Sequence, residues 1–312
     1  MANAIEIHGL RKTYRRRRGT TVAVAGLDLE VPEGGVFGFL GPNGSGKTTT
    51  IRCVLGLARP TSGSLQLLGR SVPGGLAEVM GRTGAIVETP ALFPTMTARE
   101  NLRLLGSAVG IGHARVDETL ETVGLADRSD DLVKKYSLGM KQRLGLAAAI
   151  LKEPDILILD EPANGLDPVG MREVRRLLRR LADEGRTVFV SSHILAEIEQ
   201  TCDRVAILSR GRCVANGSVA EVLAAAGGES SVLVKLPDLR AGARVLTEAG
   251  MRTEPGDGVL RVFVDPSESA RITRLLSGAG LWLTELRPEG ASLEDVFLGL
   301  TSEPSRDMEV AA

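Results

Sequence analysis

"VFGFLGPNGSGKTTTIRCVLGL", Val36–Leu57, decides the fold. Its first six residues, apolar or glycine, read as a buried strand, and "KTTTIRCVLGL" reads as a helix that opens soon after it. Between the two, Gly41, Gly46, Lys47 and Thr48 satisfy G-x-x-x-x-G-K-[ST] within "GPNGSGKTT", Gly41–Thr49. Strand, loop and helix in that order is the context the pattern requires. Glycines let backbone N–H groups come close to phosphate oxygens, and the helix N-terminus adds partial positive charge. The expected cradle runs through Gly41, Pro42, Asn43, Gly44, Ser45, Gly46, Lys47, Thr48 and Thr49. Lys47 can reach β- and γ-phosphates, and Thr48 can hold Mg²⁺. A Gly-rich turn before a helix shares the outline; the correct flanks favour the phosphate loop.

Two further short apolar runs, "DILILDEP" and "TVFVSSH", have the continuous hydrophobicity of central parallel strands covered on both faces. Between them "VGMREVRRLLRRLADEG" places Val174, Leu177, Leu178 and Leu181 at helical spacing and ends at Gly185. Repeated strand–helix–strand units imply a parallel α/β core, and with the phosphate loop that core resembles the P-loop NTPase (RecA-like) fold. Asp160 ends "ILILD", so its carboxylate emerges where open α/β sheets bind ligands. With a phosphate loop present, Asp160 is expected to hold Mg²⁺ through water and Glu161 to polarise the attacking water. Asp160-Glu161-Pro162 read alone is also compatible with a turn carrying two solvated acids. His193 follows the third buried strand; it could touch the γ-phosphate, although a lone His there is more often structural.

The chain has 312 residues, enough for two domains with a sizeable core. Its 25% charged and 43% hydrophobic content is that of a globular protein. A net charge of -1 argues against a nucleic-acid partner. The local exception, "RRRR" at Arg15–Arg18, precedes Gly19-Thr20 and reads as a solvated hairpin tip, with an anion-binding patch as the other reading. Cys53, Cys202 and Cys213 are too widely spaced for a disulfide framework or a metal cluster and read as buried thiols of a reducing compartment. "MANAIEIHGLRK" lacks an apolar signal core, and no run approaches the roughly 20 apolar residues of a membrane span.

"AIEIHGL" and "TVAVAGLDLEV" alternate like strands and suggest an antiparallel N-terminal β subdomain. Residues 97–152 are mostly helical in pattern and look like an insertion. "AAAGGES", Ala224–Ser230, reads as a linker. The expected division is residues 1–224, a C-terminal α+β domain at 230–303 and a disordered polar tail at 304–312. The C-terminal segments predict the order β-α-β-β-α-β plus a helix, a split βαβ unit, with "GLWLTEL" around Trp282 as strand core.

With these motifs placed, residues 4–223 resemble the ATPase subunits of ABC transporters. That family pairs a phosphate loop with a signature segment, LSGGQ, shortly before the acidic strand, and here "YSLGM" runs into "KQRLGLAAAI". The resemblance implies that Tyr14, in "LRKTY", stacks on adenine, an interaction of roughly 1–3 kcal/mol in nucleic-acid systems. It implies that Ser137 and Gly139 bind a γ-phosphate held by a second copy. "NGLD", Asn164–Asp167, matches the segment that crosses the dimer interface, and His193 the switch histidine. Leu138 departs from the usual Gly, Tyr136 and Met140 from Leu and Gln. Glu88, in "GAIVETPALF", stands where most members carry a Gln that senses Mg²⁺, water and the membrane subunits. A carboxylate can still ligate Mg²⁺ but cannot donate a hydrogen bond while ionised.

The function implied is an ATP-binding and ATP-hydrolysing subunit, using ATP and Mg²⁺, that forms an ATP-dependent homodimer and drives a separate permease from the cytoplasmic side of the membrane. "IVETPALFPTMTARENL" and "ASLEDVFLGLT" resemble exporters of the bacitracin, lantibiotic-immunity and daunorubicin type, which points to export of an antibiotic, drug or peptide. The alternative is a non-transport ABC ATPase acting on ribosomes or DNA. Such proteins usually carry two ATPase modules, long coiled-coil arms or a basic surface, and this chain has one phosphate loop and no sustained heptads. A small-molecule P-loop kinase has no use for a signature segment. For the C-terminal domain, regulation, dimerisation, permease docking and a structural cap all remain open.

Overall fold

The computed structural model describes residues 2–16, 19–88, 90–225, 231–289 and 292–302. The chain divides into two compact units, residues 1–219 and 220–312. Arg17 and Arg18, residues 226–230 of the expected linker and the tail from 303 lie outside the described residues.

In chain order the first unit runs β1 (Asn3–Arg16), β2 (Gly19–Pro32), β3 (Gly35–Leu40), α1 (Lys47–Val54), β4 (Ser62–Leu67), β5 (Arg70–Ser71) and α2 (Leu76–Val79). It continues with β6 (Thr83–Ile86), α3 (Ala98–Ser107), α4 (His113–Thr122), α5 (Leu138–Ile150), β7 (Ile156–Asp160) and α6 (Pro168–Asp183). Then come β8 (Thr187–Ser192), α7 (Leu195–Thr201), β9 (Arg204–Ser209), β10 (Arg212–Ser218) and α8 (Val219–Ala225), which spans the boundary.

One sheet is antiparallel, in the order β2-β1-β4-β5. In β2, Leu27, Leu29 and Val31 are buried while Asp28 and Glu30 are exposed, the period-2 pattern of a strand with one face on the core. The second sheet runs β10-β9-β3-β8-β7-β6, parallel from β9 to β6 with β10 antiparallel at its edge. β7 and β8 are buried at every position, as strands covered on both faces must be. Phe39 and Phe189 from β3 and β8 meet with ring centroids 5.1 Å apart.

Helix ends follow their capping chemistry. Thr97 and Glu100 form a reciprocal capping box on α3. Asp167 caps α6, with Pro168 in its first turn. Ser137 caps α5, its hydroxyl accepting from the Met140 N–H at 3.2 Å.

The second unit contains β11 (Ser231–Lys235), α9 (Leu239–Glu248), β12 (Arg252–Pro255), β13 (Leu260–Phe263), α10 (Ser269–Gly278), β14 (Glu285–Glu289) and α11 (Leu293–Ser302). Its antiparallel sheet has the order β12-β13-β11-β14, and Val232, Val234, Leu246, Leu260, Val262, Ile272 and Leu276 form its core.

Two expectations need correction. Trp282 is 73% exposed and precedes β14, which starts only at Glu285. Its neighbours Leu281 and Leu283 pack on the core, so alternation leaves the larger ring outside. Cys213 is half-buried rather than buried, because it sits on the edge strand β10. No helix among the described residues is long and apolar enough to cross a membrane.

Candidate functional site

The loop between β3 and α1 is shaped by glycines that no other residue could replace. At Gly46, φ is +109°, and a Cβ would lie 2.6 Å from the Ala23 carbonyl oxygen. A Cβ at Gly41 would lie 2.5 Å from both the Leu208 carbonyl oxygen and Ser45 Oγ. No side chain caps α1 and no acid stands in its first turn, so its N-terminal N–H groups are left for an anion. Ser45 Oγ is buried without a hydrogen-bond partner among the described residues. These features suit a phosphate group. Lys47, 6% exposed, donates through Nζ to the Gly41 carbonyl at 2.7 Å and the Pro42 carbonyl at 3.4 Å.

β7 and β8 supply the acids and their supports. Asp160 is buried at the end of β7, and its Oδ1 accepts from Ser191 Oγ at 2.5 Å. Asp160 lies opposite Ser191 in the parallel register, which makes this contact possible. The same hydroxyl accepts from the Glu161 N–H at 3.0 Å. Glu161 takes a left-handed backbone conformation, φ +49°, uncommon for a residue with a side chain and typical of functional sites that hold strain. Its carboxylate lies between two groups: Oε1 is 3.3 Å from Lys47 Nζ and Oε2 is 2.8 Å from His193 Nδ1. The phosphate-loop lysine, the acid after β7 and the histidine after β8 are thus in direct contact.

A cleft of about 800 Å³ opens over this cluster. Tyr14, Asn43, Gly44, Gly46, Lys47, Thr48, Thr49, Glu161 and His193 line it. So do residues to which the sequence assigned no such place, among them Arg15 of the basic run, Arg52 of α1, Asn164 and the Thr21–Ala23 stretch of β2. The Lys12 ammonium lies 4.8 Å from the centroid of the Tyr14 ring. Asp160 sits behind the lining.

Glu88, Ser137 and Gly139 are not brought to the cleft lining. Glu88 has φ +65° and is ion-paired with Arg52. Ser137 and Gly139 stand at the start of α5, where the helix packs on the Asn164–Asp167 segment of the same chain. Leu138, 51% exposed, has Cδ2 only 3.0 Å from where a Cβ at Gly165 would be, and Gly165 has φ +75°. The larger residue at position 138 is therefore accommodated by a glycine in the neighbouring loop. Tyr136 is buried and its hydroxyl donates to the Arg128 carbonyl at 2.6 Å, so this departure is absorbed by packing. Burial also pushes its phenol pKa up.

Ser191 is the supporting residue the sequence reading missed. It lies in the quoted "VSSH", yet only the register of β7 against β8 reveals its link to Asp160 and Glu161.

Residues 24–164 match the family model described as ABC transporter. The Bacitracin transport ATP-binding protein BcrA of Bacillus licheniformis is 40% identical, over 96% of this chain and 98% of that protein. The Daunorubicin/doxorubicin resistance ATP-binding protein DrrA of Streptomyces peucetius is 37% identical over 97% and 94%. The solved "Dimeric Structure of MJ0796, a Bacterial ABC Transporter Cassette" aligns with a TM-score of 0.64 and 25% identity, covering 69% of this chain and 98% of that one. The extent of the similarity to BcrA, together with a phosphate loop whose lysine meets the acid after β7, itself bonded to the histidine after β8, places this chain in the ABC transporter family as an ATP-binding, ATP-hydrolysing subunit.

Proposed function

We propose that two copies of this chain bind two ATP molecules between them and power a separate membrane permease that exports an antibiotic, drug or peptide. The observation that carries the catalytic part is the Glu161 carboxylate held between Lys47 and His193 at the floor of the cleft. ATP supplies the phosphoanhydride bond, and Mg²⁺ supplies positive charge on its phosphates.

Lys47 exchanges its loop carbonyls and Glu161 for β- and γ-phosphate oxygens. Thr48 and Asp160 would hold Mg²⁺, Asp160 by way of water, with Glu88 as a further ligand. Few protein ligands are needed, because Mg²⁺ commonly keeps several waters and takes its other oxygens from substrate phosphates. Glu161, once free of Lys47, accepts a hydrogen bond from the attacking water, and His193 fixes its orientation through Nδ1. Tyr14 stacks on the adenine. Ser137 and Gly139, away from this chain's own cleft, complete the site of the second copy. Their α5 N-terminus carries no acid in its first turn, as contact with phosphate requires.

The permease reading is supported by exposed apolar side chains in and just before the helical segment: Phe93, Leu104, Leu105 and Val109 are 39–55% exposed. Asn101 pins the Phe93 backbone to α3, accepting from its N–H at 2.8 Å and donating to its carbonyl at 3.1 Å. Exposed apolar side chains of this kind suit a permease-docking surface, which would hold the chain at the cytoplasmic side of the membrane. The cargo class rests on relatives named for bacitracin and daunorubicin/doxorubicin.

The test is reconstitution with a candidate membrane permease. Steady ATP hydrolysis stimulated by a transported compound is expected. Hydrolysis indifferent to every permease and compound tried would contradict coupling to transport.

A further inference from the structure

Glu88 puts a carboxylate where the resemblance implies a neutral amide, so the site carries an extra negative charge close to where phosphate binds. The structure supplies a counter-charge. Arg52, on the helix that begins at Lys47, donates through Nη2 to Glu88 Oε1. Arg52 also lines the cleft, while Glu88, 62% exposed, lies outside it. The pair therefore ties the phosphate-loop helix to the segment leading from β6 towards α3. Glu88 is held there with its backbone in the left-handed region, φ +65°.

We propose that Arg52 is a positioning residue that neutralises Glu88 and holds it aside while the cleft is empty, and that Glu88 leaves Arg52 for Mg²⁺ when ATP–Mg²⁺ binds. This rests on Glu88 being a metal ligand. Three consequences follow from charge and geometry. The extra acid does not repel incoming ATP, because the guanidinium cancels its charge. Loading costs the ion pair, so wild-type affinity for ATP–Mg²⁺ falls below what the two side chains contribute separately. Without Mg²⁺, nothing draws Glu88 away, and the pair stays closed.

The experiment is a double-mutant cycle on ATP binding by isothermal titration calorimetry of the full chain. Its members are wild type, Arg52→Ala, Glu88→Gln and the double variant, each in Mg²⁺ and in EDTA, with Lys47→Ala as control. Both paired side chains are solvent-accessible, so the variants should fold. Simple charge effects add and produce no coupling; breaking an exposed pair does produce it. With Mg²⁺, wild type should bind about two- to fivefold more weakly than the additive value, the range expected for one exposed ion pair. In EDTA the four proteins should be additive.

Coupling that is absent with Mg²⁺, or equal in both conditions, overturns the exchange. The underlying reading fails separately: if adding Glu88→Ala to Arg52→Ala, which removes the side-chain ligand with no ion pair left to break, does not lower the affinity gained from Mg²⁺, Glu88 is not a metal ligand. If Lys47→Ala binds ATP like wild type, the cleft itself is misassigned.

Discussion

Ser191→Ala removes one hydroxyl from the floor of the site. Ser191 is fully buried, and its Oγ donates to Asp160 Oδ1 and accepts from the Glu161 N–H. The Glu161 N–H keeps a second acceptor, the Ser191 carbonyl at 3.2 Å, so the main loss is the hydrogen bond to a buried carboxylate. A hydrogen bond to a charged group is worth about 1.5–3 kcal/mol. For a unit of this size each kcal/mol moves the midpoint of unfolding by about 2–4 °C, giving a drop of roughly 3–12 °C. The two units need not melt together, but their signals separate. Tyr14 and Tyr136 lie in the first unit, and Trp282, the only tryptophan, in the second. Near-ultraviolet tyrosine dichroism should fall early while Trp282 fluorescence melts as in wild type. Loss of a group that orients a metal ligand commonly costs 10–100-fold in activity. The kcat should therefore fall by about that factor, with ATP affinity in EDTA changed by less than about threefold. A tyrosine melt within 1 °C of wild type (roughly the resolution of such a scan) together with an unaltered kcat would show that Ser191 supports neither acid.

Gly46→Ala sets a Cβ against the Ala23 carbonyl and forces φ +109° on a residue that resists it; ATP affinity by calorimetry should drop at least about 100-fold, and near-wild-type binding would show that the loop geometry is misread. Gly165→Ala should cost about 1–3 kcal/mol in urea unfolding from backbone strain plus the clash with Leu138. That cost should shrink by at least about 0.5 kcal/mol when Leu138→Gly is also present, and equal costs in both backgrounds refute the contact. Burial raises the thiol pKa of Cys202 and of Cys53, so neither should react with a thiol reagent in the native protein. Cys213, half-buried with its pKa also raised by burial, should react slowly, and all three should react in denaturant; one thiol labelling at the rate of free cysteine in the native state contradicts this burial.

The parts of the site carried by local pattern were legible in the sequence. "GPNGSGKTT" announces its loop because glycine spacing, lysine and flanking elements are all contiguous. "ILILD" announces a buried strand with an acid at its end. Contacts that depend on strand register or on residues far apart in sequence were not legible. Ser191 meets Asp160 only because β8 pairs with β7 in one register. Arg52 and Glu88 are separated by 36 positions, and nothing in either neighbourhood names the other. Glu88 and Glu161 both adopt positive φ, which no residue type other than glycine advertises. Leu138 looked like an unexplained departure until Gly165 appeared beside it. Trp282 was misread because an apolar run of four residues fits a strand as well as it fits a connecting segment with alternate side chains inward.

The central claim is that Glu161 activates water in a site completed by a second copy of the chain. The most direct measurement is the mass in solution of Glu161→Gln with ATP and Mg²⁺, by light scattering on a sizing column. The neutral amide keeps the shape of the side chain but cannot act as the base, so bound ATP should persist and the protein should elute at twice the chain mass. Wild type, which consumes its ATP, should return to monomer. A Glu161→Gln protein that stays monomeric with ATP bound, or hydrolyses ATP at the wild-type rate, contradicts the account.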